Sequence, residues 1–490
     1  MPQVVDAEVL VVGGGPVGML VAAELGLTGV RVVVLERRAA VSDRPKANTL
    51  HARAVQSLAR RGYLDAVAGA ADAAAQPFHF AGIGGLEIAA PEGEPTPILK
   101  LAQADLERAL ERRAVAHGVT VLRSHEVTQV SQDADGVRVE ARTPDGTTCF
   151  SALYLVGADG GAGRVREQAG FAADTSAATV SALMGQVRFA DPDTAPRGWQ
   201  RTSRGWVVCR PEPDGTGVIR TLDFDAPADR RARPTLDELR TEVSRVLGHD
   251  VPMTEALYLS RFSDFTRVAR TFRRGRVFLA GDAAHIHFPI GGQGLSTGIG
   301  DAFNLAWKLG CAVRTGSGDR LLDTYDVERR PVVEQVVRNT RAQLALMRPG
   351  PELDPLRELF ARLLPFGEVS ALLGGDLSAQ ETVCSAGRDS ACAWTGRFLS
   401  NRLLKTDHGT EDVMELLRAG RPLLLHHADS GLRHAAVAGR WDHTVRLVRV
   451  HGQRPLERDA LLVRPDGYIA WTSESEDLAD LLGAWFGRPR

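Results

Sequence analysis

Apolar positions in this chain fall into short blocks punctuated by glycine, and the spacing within the blocks changes along the sequence. Residues 8–12 are an almost unbroken apolar run, 19–27 carry apolar residues at helical spacing, and 30–35 form a second run that stops at Glu36. Short apolar runs bounded by glycine suit buried parallel strands, and the longer stretch between them suits a crossover helix. The first 36 residues therefore predict a complete β-α-β unit.

The pattern then alternates between helix and strand. Residues 51–61 predict a helix ended by Gly62, and 76–100, rich in Gly and Pro, predict loop or short strands. A helix is expected over 101–117, with Leu106, Leu110 and Ala114 on one face, followed by a strand at 119–122. Residues 127–130 and 137–141 predict a meander through the Asp135-Gly136 turn, and 154–157 an apolar strand ending at Asp159. From 174 to 272 apolar and polar residues alternate with frequent turns and one helix at 236–247, the pattern of a sheet-rich unit. A buried strand returns at 277–282, and long helices are expected at 300–313 and 321–347. Beyond 395, strands at 422–426, 445–450, 460–463 and 468–471 and a helix at 477–486 predict a small separate α/β unit.

Composition narrows the class. At 490 residues the chain is long enough for two or three domains, and 24% charged residues suit a soluble globular protein. A net charge of −2 supplies no basic field for nucleic acid. No apolar run approaches the length of a membrane span, and the N-terminus lacks the basic region and cleavage site of a signal peptide. The five cysteines form no C-x-x-C, so free thiols in a reducing cytoplasm are expected.

Three motifs carry chemistry. Gly13, Gly15 and Gly18 form G-x-G-x-x-G between the first strand and its helix, where glycine lets the backbone approach a pyrophosphate at the helix N-terminus. Glu36 ends the second strand, where an acid binds the hydroxyl pair of an unphosphorylated ribose, as in FAD or NAD. The second motif runs from Ala158 through Asp159 and Gly160 to Arg166, an acid at a strand end followed by glycines. In the third, Gly281 and Asp282 end a strand, and Pro289, Gly291, Gly292, Gln293, Gly294 and Leu295 lead towards the helix expected from Gly300. Asp282 suits a polyol, and amides at a helix start suit the negative N1–C2=O edge of a flavin.

In kind, order and spacing these motifs resemble those of the class A, single-component FAD-dependent monooxygenases. The segment His51-Ala52-Arg53, the stretch 280–295 and Trp307-Lys308-Leu309 are most similar to the aromatic polyketide hydroxylases and rifamycin-type monooxygenases. The resemblance implies a Rossmann-like α/β FAD-binding domain over 1–173 and 273–394, with an inserted β-sheet substrate domain over 174–272. It also implies a thioredoxin-like domain over 395–490 without redox cysteines. Gly13, Gly15, Pro16, Val17 and Gly18 would line the pyrophosphate, Glu36 and Arg37 the adenosine end, and Lys46 the phosphates. Gln103 would contact FAD, the Val127 backbone the adenine, and Asp159 with Gly160 a region shared by FAD and NAD(P)H. Gly281 and Asp282 would hold the ribityl and phosphate groups, and Pro289 with Gly291, Gly292, Gln293, Gly294 and Leu295 would flank the isoalloxazine. Gly163, Ser296 and Gly300 depart from the family, which usually has Ser, often Asn and often Gln there.

The implied reaction uses NAD(P)H as a transient electron donor and O2 as co-substrate, and hydroxylates a polycyclic aromatic through a flavin C4a-hydroperoxide. Baeyer–Villiger oxygenation of a polyketide ketone, a flavin-binding protein without oxygenase turnover, and a flavin reductase or dehydrogenase stay open. No metal, nucleic acid or membrane partner is implied, and a homodimer is left open. No catalytic base is secure: His285 is the one candidate, more suited to a structural role. Tyr258 and Arg261 are candidates for the substrate pocket, though better suited to packing or surface roles; Met184, Gln186, Trp206, Val208, Arg220 and Leu222 are further candidates, and alternation places some of them on one face of the sheet, which suits either the pocket or the core. Arg329 and Arg330 read as a solvated helix face.

Overall fold

The computed structural model describes residues 4–67, 74–225, 232–316, 319–385, 392–452, 456–475 and 477–489. Its centre is a six-stranded sheet in the order Arg273–Arg274, Val277–Leu279, Tyr154–Gly157, Val9–Val12, Val32–Glu36, Thr120–Arg123, parallel except for the first pair. Val9–Val12 and Val32–Glu36 are buried at every position, which is why these strands read as continuous apolar runs. Val12 and Gly157 are register partners at the same carboxyl edge, and Val277–Leu279 delivers Gly281 and Asp282 there too. That edge, where strands give way to helices, is where open α/β sheets gather ligands.

Pro16–Leu27 packs between the central sheet and two further helices, Gln103–Ala116 and Gly294–Thr315. The last of these begins six residues before the expected Gly300 and is buried on nearly all sides from Thr297 to Ala312. Glycines and Ser296 in its first turns concealed its start, because tertiary burial overrides their weak helix propensity. Asp319–Met347 packs alongside. A four-stranded sheet of Val4–Asp6, Gly146–Ala152, Val137–Thr143 and Glu126–Gln132 lies nearby in the chain's topology.

A second core lies in a five-stranded antiparallel sheet, ordered Gly198–Thr202, Gly205–Pro211, Thr216–Asp223, Ser181–Phe189, Met253–Ser263. One face (Leu183, Val187, Val207, Ile219) packs on the Leu236–Leu247 helix through Leu239, Val243 and Val246. That helix is capped by the Thr235 hydroxyl, which accepts from the Glu238 amide, and ends at the left-handed Gly248. The other face carries Met184, Val208, Arg220 and Leu222 and looks into the cavity described below.

The C-terminal strands form a six-stranded sheet, Gly409–Asp412, Leu403–Thr406, Arg446–His451, Leu423–His427, Ala460–Val463, Ile469–Thr472, with Leu478–Phe486 beside it. The leading hairpin, 403–412, is absent from the sequence expectation because its strands are short and mostly polar on one side. A buried polar cluster holds this sheet to the long helices. Arg464 pairs with Glu328 at 2.6 Å, Glu328 accepts from Lys308 at 2.7 Å, and Trp307 donates to Asp466 at 3.1 Å. Among the described residues no helix is long and apolar enough to cross a membrane.

Candidate functional site

A cavity of about 1300 Å³ runs from the carboxyl edge of the central sheet to the inner face of the five-stranded sheet. Gly13, Gly15, Pro16, Val17, Glu36 and Arg37 line one wall, with Lys46 and Gln103 beside them. Asp159, Gly160, Gly281 and Asp282 continue it, and Pro289, Gly291, Gly292, Gly294 and Leu295 form the side towards the second sheet. The structure thus brings most of the expected cofactor residues together. Gly18, Val127 and Gln293 do not line the cavity. Val127 and Gln293 are buried, and Gly18 packs against the Gly13 carbonyl.

Each motif glycine has its own reason. Gly13 has φ +110°, and a Cβ there would collide with the Ala158 carbonyl of the neighbouring strand end. A Cβ on Gly18 would collide with the Gly13 carbonyl, so the helix can sit this close only with glycine. A Cβ on Gly15 meets no protein atom within 4 Å. The helix that starts at Pro16 has no side-chain cap, and neither has Gly294–Thr315, whose first turn also lacks an acid. Two uncapped helix N-termini therefore border one cavity, each with unspent amides and a positive dipole end.

Glu36 is buried, and its carboxylate accepts from the Gly14 amide at 2.7 Å and the Arg38 amide at 2.8 Å. Gln103 donates to Glu107 at 2.8 Å, and Lys46 lies 3.9 Å from the same oxygen. Glu107 also lines the cavity and was missed, although its i+4 spacing from Gln103 places both on one helix face. Asp159 accepts from the Val165 amide at 3.0 Å through one oxygen, and its other oxygen is buried without a partner. Burial raises its carboxyl above the ordinary range, opposed by backbone amides. A Cβ on Gly163 would collide with that carboxyl, which accounts for glycine at this position. The Asp282 side chain opens onto the cavity, and desolvation by the surrounding walls raises its pKa against the pull of His285, Lys46 and Arg267.

The glycine loop is held from behind. His51 Nε2 donates to the Gly291 carbonyl at 2.7 Å, and the His51 amide donates to Ser296 Oγ at 3.0 Å. Ser296, one of the family departures, is thus a backbone anchor. His285 faces away from the cavity: its Nε2 lies 2.7 Å from Asp301 Oδ2, within the buried group that includes Arg329. Arg329 is buried and ion-paired, which corrects the expectation of a solvated face, while Arg330 is partly exposed and paired with Glu334. Gly300 lacks a side chain where the Arg329 guanidinium lies, 2.8 Å from a would-be Cβ.

His287 does line the cavity. Its Nδ1 donates to the Phe288 carbonyl at 3.0 Å, and burial lowers its pKa to about 4, so at neutral pH Nε2 is an unprotonated acceptor. Met184, Val208, Arg220 and Leu222 line the far end, joined by Phe78, His79, Trp199 and Phe262. Gln186, Trp206, Tyr258 and Arg261 do not. Trp206 donates to the Met347 carbonyl at 2.6 Å, and Arg261 pairs with Glu238. Among the described residues no His, Cys, Asp or Glu group suits a metal, and Cys149, Cys209, Cys311 and Cys384 are free thiols.

Comparison with known proteins adds the following. A family model described as an FAD binding domain matches residues 6–340, and one described as the C-terminal region of aromatic-ring hydroxylases matches 392–489. The chain is 38% identical to a 12-dehydrotetracycline 5-monooxygenase/anhydrotetracycline 6-monooxygenase of Streptomyces rimosus, over 98% of this chain and 99% of that protein. It is 36% identical to a dialkyldecalin synthase of Streptomyces rugosporus, over 98% of both. Its fold matches the crystal structure of CabE, an aromatic hydroxylase from angucycline biosynthesis, with a TM-score of 0.91 at 34% identity, over 99% of this chain and all of that one.

Proposed function

The chain belongs to the FAD-dependent aromatic-ring monooxygenases, and from that premise we propose that it hydroxylates a polycyclic aromatic of polyketide type, taking electrons from NAD(P)H. The observation that carries this reading is the continuity of one cavity from the Gly13 to Glu36 cradle, past the Gly291 to Leu295 loop, to an apolar sheet face. FAD fits the residues present. The buried Asp159 oxygen without a partner, the unobstructed space at Gly15 and two uncapped helix starts supply an acid, a close approach and two anion poles.

On this reading Gly13, Gly15, Pro16 and Val17 hold the pyrophosphate, Glu36 the ribose, and Asp282 the ribityl region, with Gly291 to Leu295 against the ring. Bound flavin supplies hydride acceptance and O2 activation. The chain excludes water with Phe78, Met184, Val208, Leu222 and Phe262 and stacks the substrate against them. Neutral His287 offers Nε2 to a substrate hydroxyl, holding its proton and orienting the ring beside the glycine loop. We read the chain as an FAD-binding unit of residues 1–173 and 273–394, a substrate unit of 174–272 and a thioredoxin-like unit of 395–490.

The test is stopped-flow flavin reduction by NADPH and NADH with a panel of polyphenolic polyketides, followed by product analysis under labelled O2. Faster reduction with one compound and one labelled oxygen atom in its product supports the reading. The similarity to a dialkyldecalin synthase makes the label decisive. A substrate turned over by the yellow protein with no label in the product sinks the hydroxylase assignment, and a label inserted between ring carbons marks a Baeyer–Villiger reaction instead.

A further inference from the structure

Acids are confined to one end of the cavity, where Arg37, Arg38 and Lys46 accompany them. The acids on its wall, Glu36, Glu107, Asp159 and Asp282, all belong to the dinucleotide-facing elements. The elements facing the substrate contribute Lys100, Arg197, Arg210 and Arg220 to the wall and no carboxylate. Arg210 is largely exposed and pairs with Glu212 at 2.9 Å. Lys100 donates to Thr49 Oγ1 at 2.9 Å and has no acidic partner among the described residues. The Arg220 side chain has neither an ion pair nor a hydrogen bond among the described residues.

Its setting makes that absence informative. On adjacent strands Arg220 is the register partner of Met184 on one side and Val208 on the other, so a row of three side chains faces the cavity with the cation in the middle. Leu222, two residues on, extends the same apolar face. A guanidinium stays charged at any pH the fold survives, and desolvation without a partner is costly. The cost is recovered when an oxyanion enters, because a guanidinium meets two oxygens in one plane.

Resting on the substrate reading above, we propose that Arg220 anchors an oxyanion substituent of the aromatic substrate, a carboxylate or ionised phenol on the ring edge that meets the sheet. Arg210 adds positive potential beside it, and Lys100 lies near Arg210 on the same cavity wall. Arg220 is then a specificity-determining residue. It selects acidic polycyclic aromatics over neutral ones of the same shape and sets which edge is turned towards the glycine loop.

The experiment uses the FAD-loaded full chain and perturbation of the flavin spectrum on ligand binding. Two matched probes are 1,8-dihydroxyanthraquinone-3-carboxylate and its neutral 3-hydroxymethyl counterpart. A third, 1,2-dihydroxyanthraquinone at a pH that ionises its 2-hydroxyl, separates phenolate from carboxylate as the anion. The wild type is expected to prefer the carboxylate, or the ionised phenol, by about tenfold over the neutral probe. Arg220→Gln abolishes that preference and leaves the neutral probe's Kd nearly unchanged, while Arg220→Lys keeps part of it. Flavin content and melting temperature in each variant verify the fold. A wild-type ratio near one, or a preference that survives Arg220→Gln, overturns the proposal. So does a variant that weakens NADPH binding while keeping the carboxylate preference, since that assigns Arg220 to the nucleotide. Failure of the full chain to hold FAD would instead strike the reading beneath it.

Discussion

Asp301 and Arg329 form a buried ion pair, Oδ1 to Nε at 2.8 Å, between the two long helices. The other oxygen of Asp301 accepts from the Gly281 amide at 3.0 Å and faces His285 Nε2 at 2.7 Å. One carboxylate therefore fixes the loop that carries Asp282 to the helix whose start borders the cavity. Burial alone would raise the Asp301 pKa, but Arg329 and His285 override it and hold it below the ordinary range.

Asp301→Asn leaves Arg329 buried without its counter-charge, a loss of about 3–5 kcal/mol by the usual cost of breaking such a pair. Urea denaturation should show the drop, and the 450 nm absorbance of purified protein should show reduced flavin content. An unchanged midpoint with full flavin would contradict the anchoring role.

Gly163→Ser restores the residue common in the family but places a Cβ on the Asp159 carboxyl. The carboxylate must swing away and give up its bond to the Val165 amide, costing about 1–2 kcal/mol. Melting temperature should fall, and the rate of flavin reduction by NADPH should change while the substrate Kd does not. A variant as stable as the wild type means that Asp159 has another rotamer of equal energy.

Glu328→Gln leaves Arg464 and Lys308 facing each other in a buried space with Asp466 as the remaining acid. The free energy of unfolding should fall by about 3 kcal/mol, lowering the midpoint, with the C-terminal strands becoming sensitive to protease first. Simultaneous loss of all regions at the wild-type midpoint would refute the tie.

Acid should destabilise the protein above the range where carboxylates protonate. Burial lowers the pKa of His51, His79 and His287 to about 4 each, against an unfolded value of about 6.5. Between these limits the unfolded chain binds more protons, so stability from these groups is complete above pH ~6.5 and is lost as pH falls towards ~4. Melting temperature against pH checks this, and His287→Gln should flatten part of the slope.

The sheet, the helices and the three motifs were legible because each rests on local pattern: apolar runs, i+4 spacing and glycine at strand ends. Of the six sheet candidates that alternation offered for either the pocket or the core, Met184, Val208, Arg220 and Leu222 line the cavity. Alternation could not exclude Trp206, on the same face, whose indole reaches the Met347 carbonyl from a distant helix. Asp301, Glu328 and Arg329 were illegible for a different reason. Buried ion pairs join residues far apart in the chain, and a charged residue on a long helix looks like a solvated one until its neighbour is known. Gly163 and Gly300 read as departures, whereas each makes room for a specific charged side chain.

The ties between the long helices and the C-terminal strands bear on how this scaffold can be recombined. The five-stranded sheet presents its own helix-backed core, so its cavity face can be exchanged between relatives position by position. The C-terminal strands cannot be exchanged in this way, because Lys308, Glu328, Arg464 and Asp466 form one charge-balanced set contributed by three separate stretches of chain. A chimera that takes some of them and not others inherits an uncompensated charge in a dry interior. Recombination in this family should therefore track substrate range through the sheet and carry the C-terminal strands along with the long helices as a single inherited block.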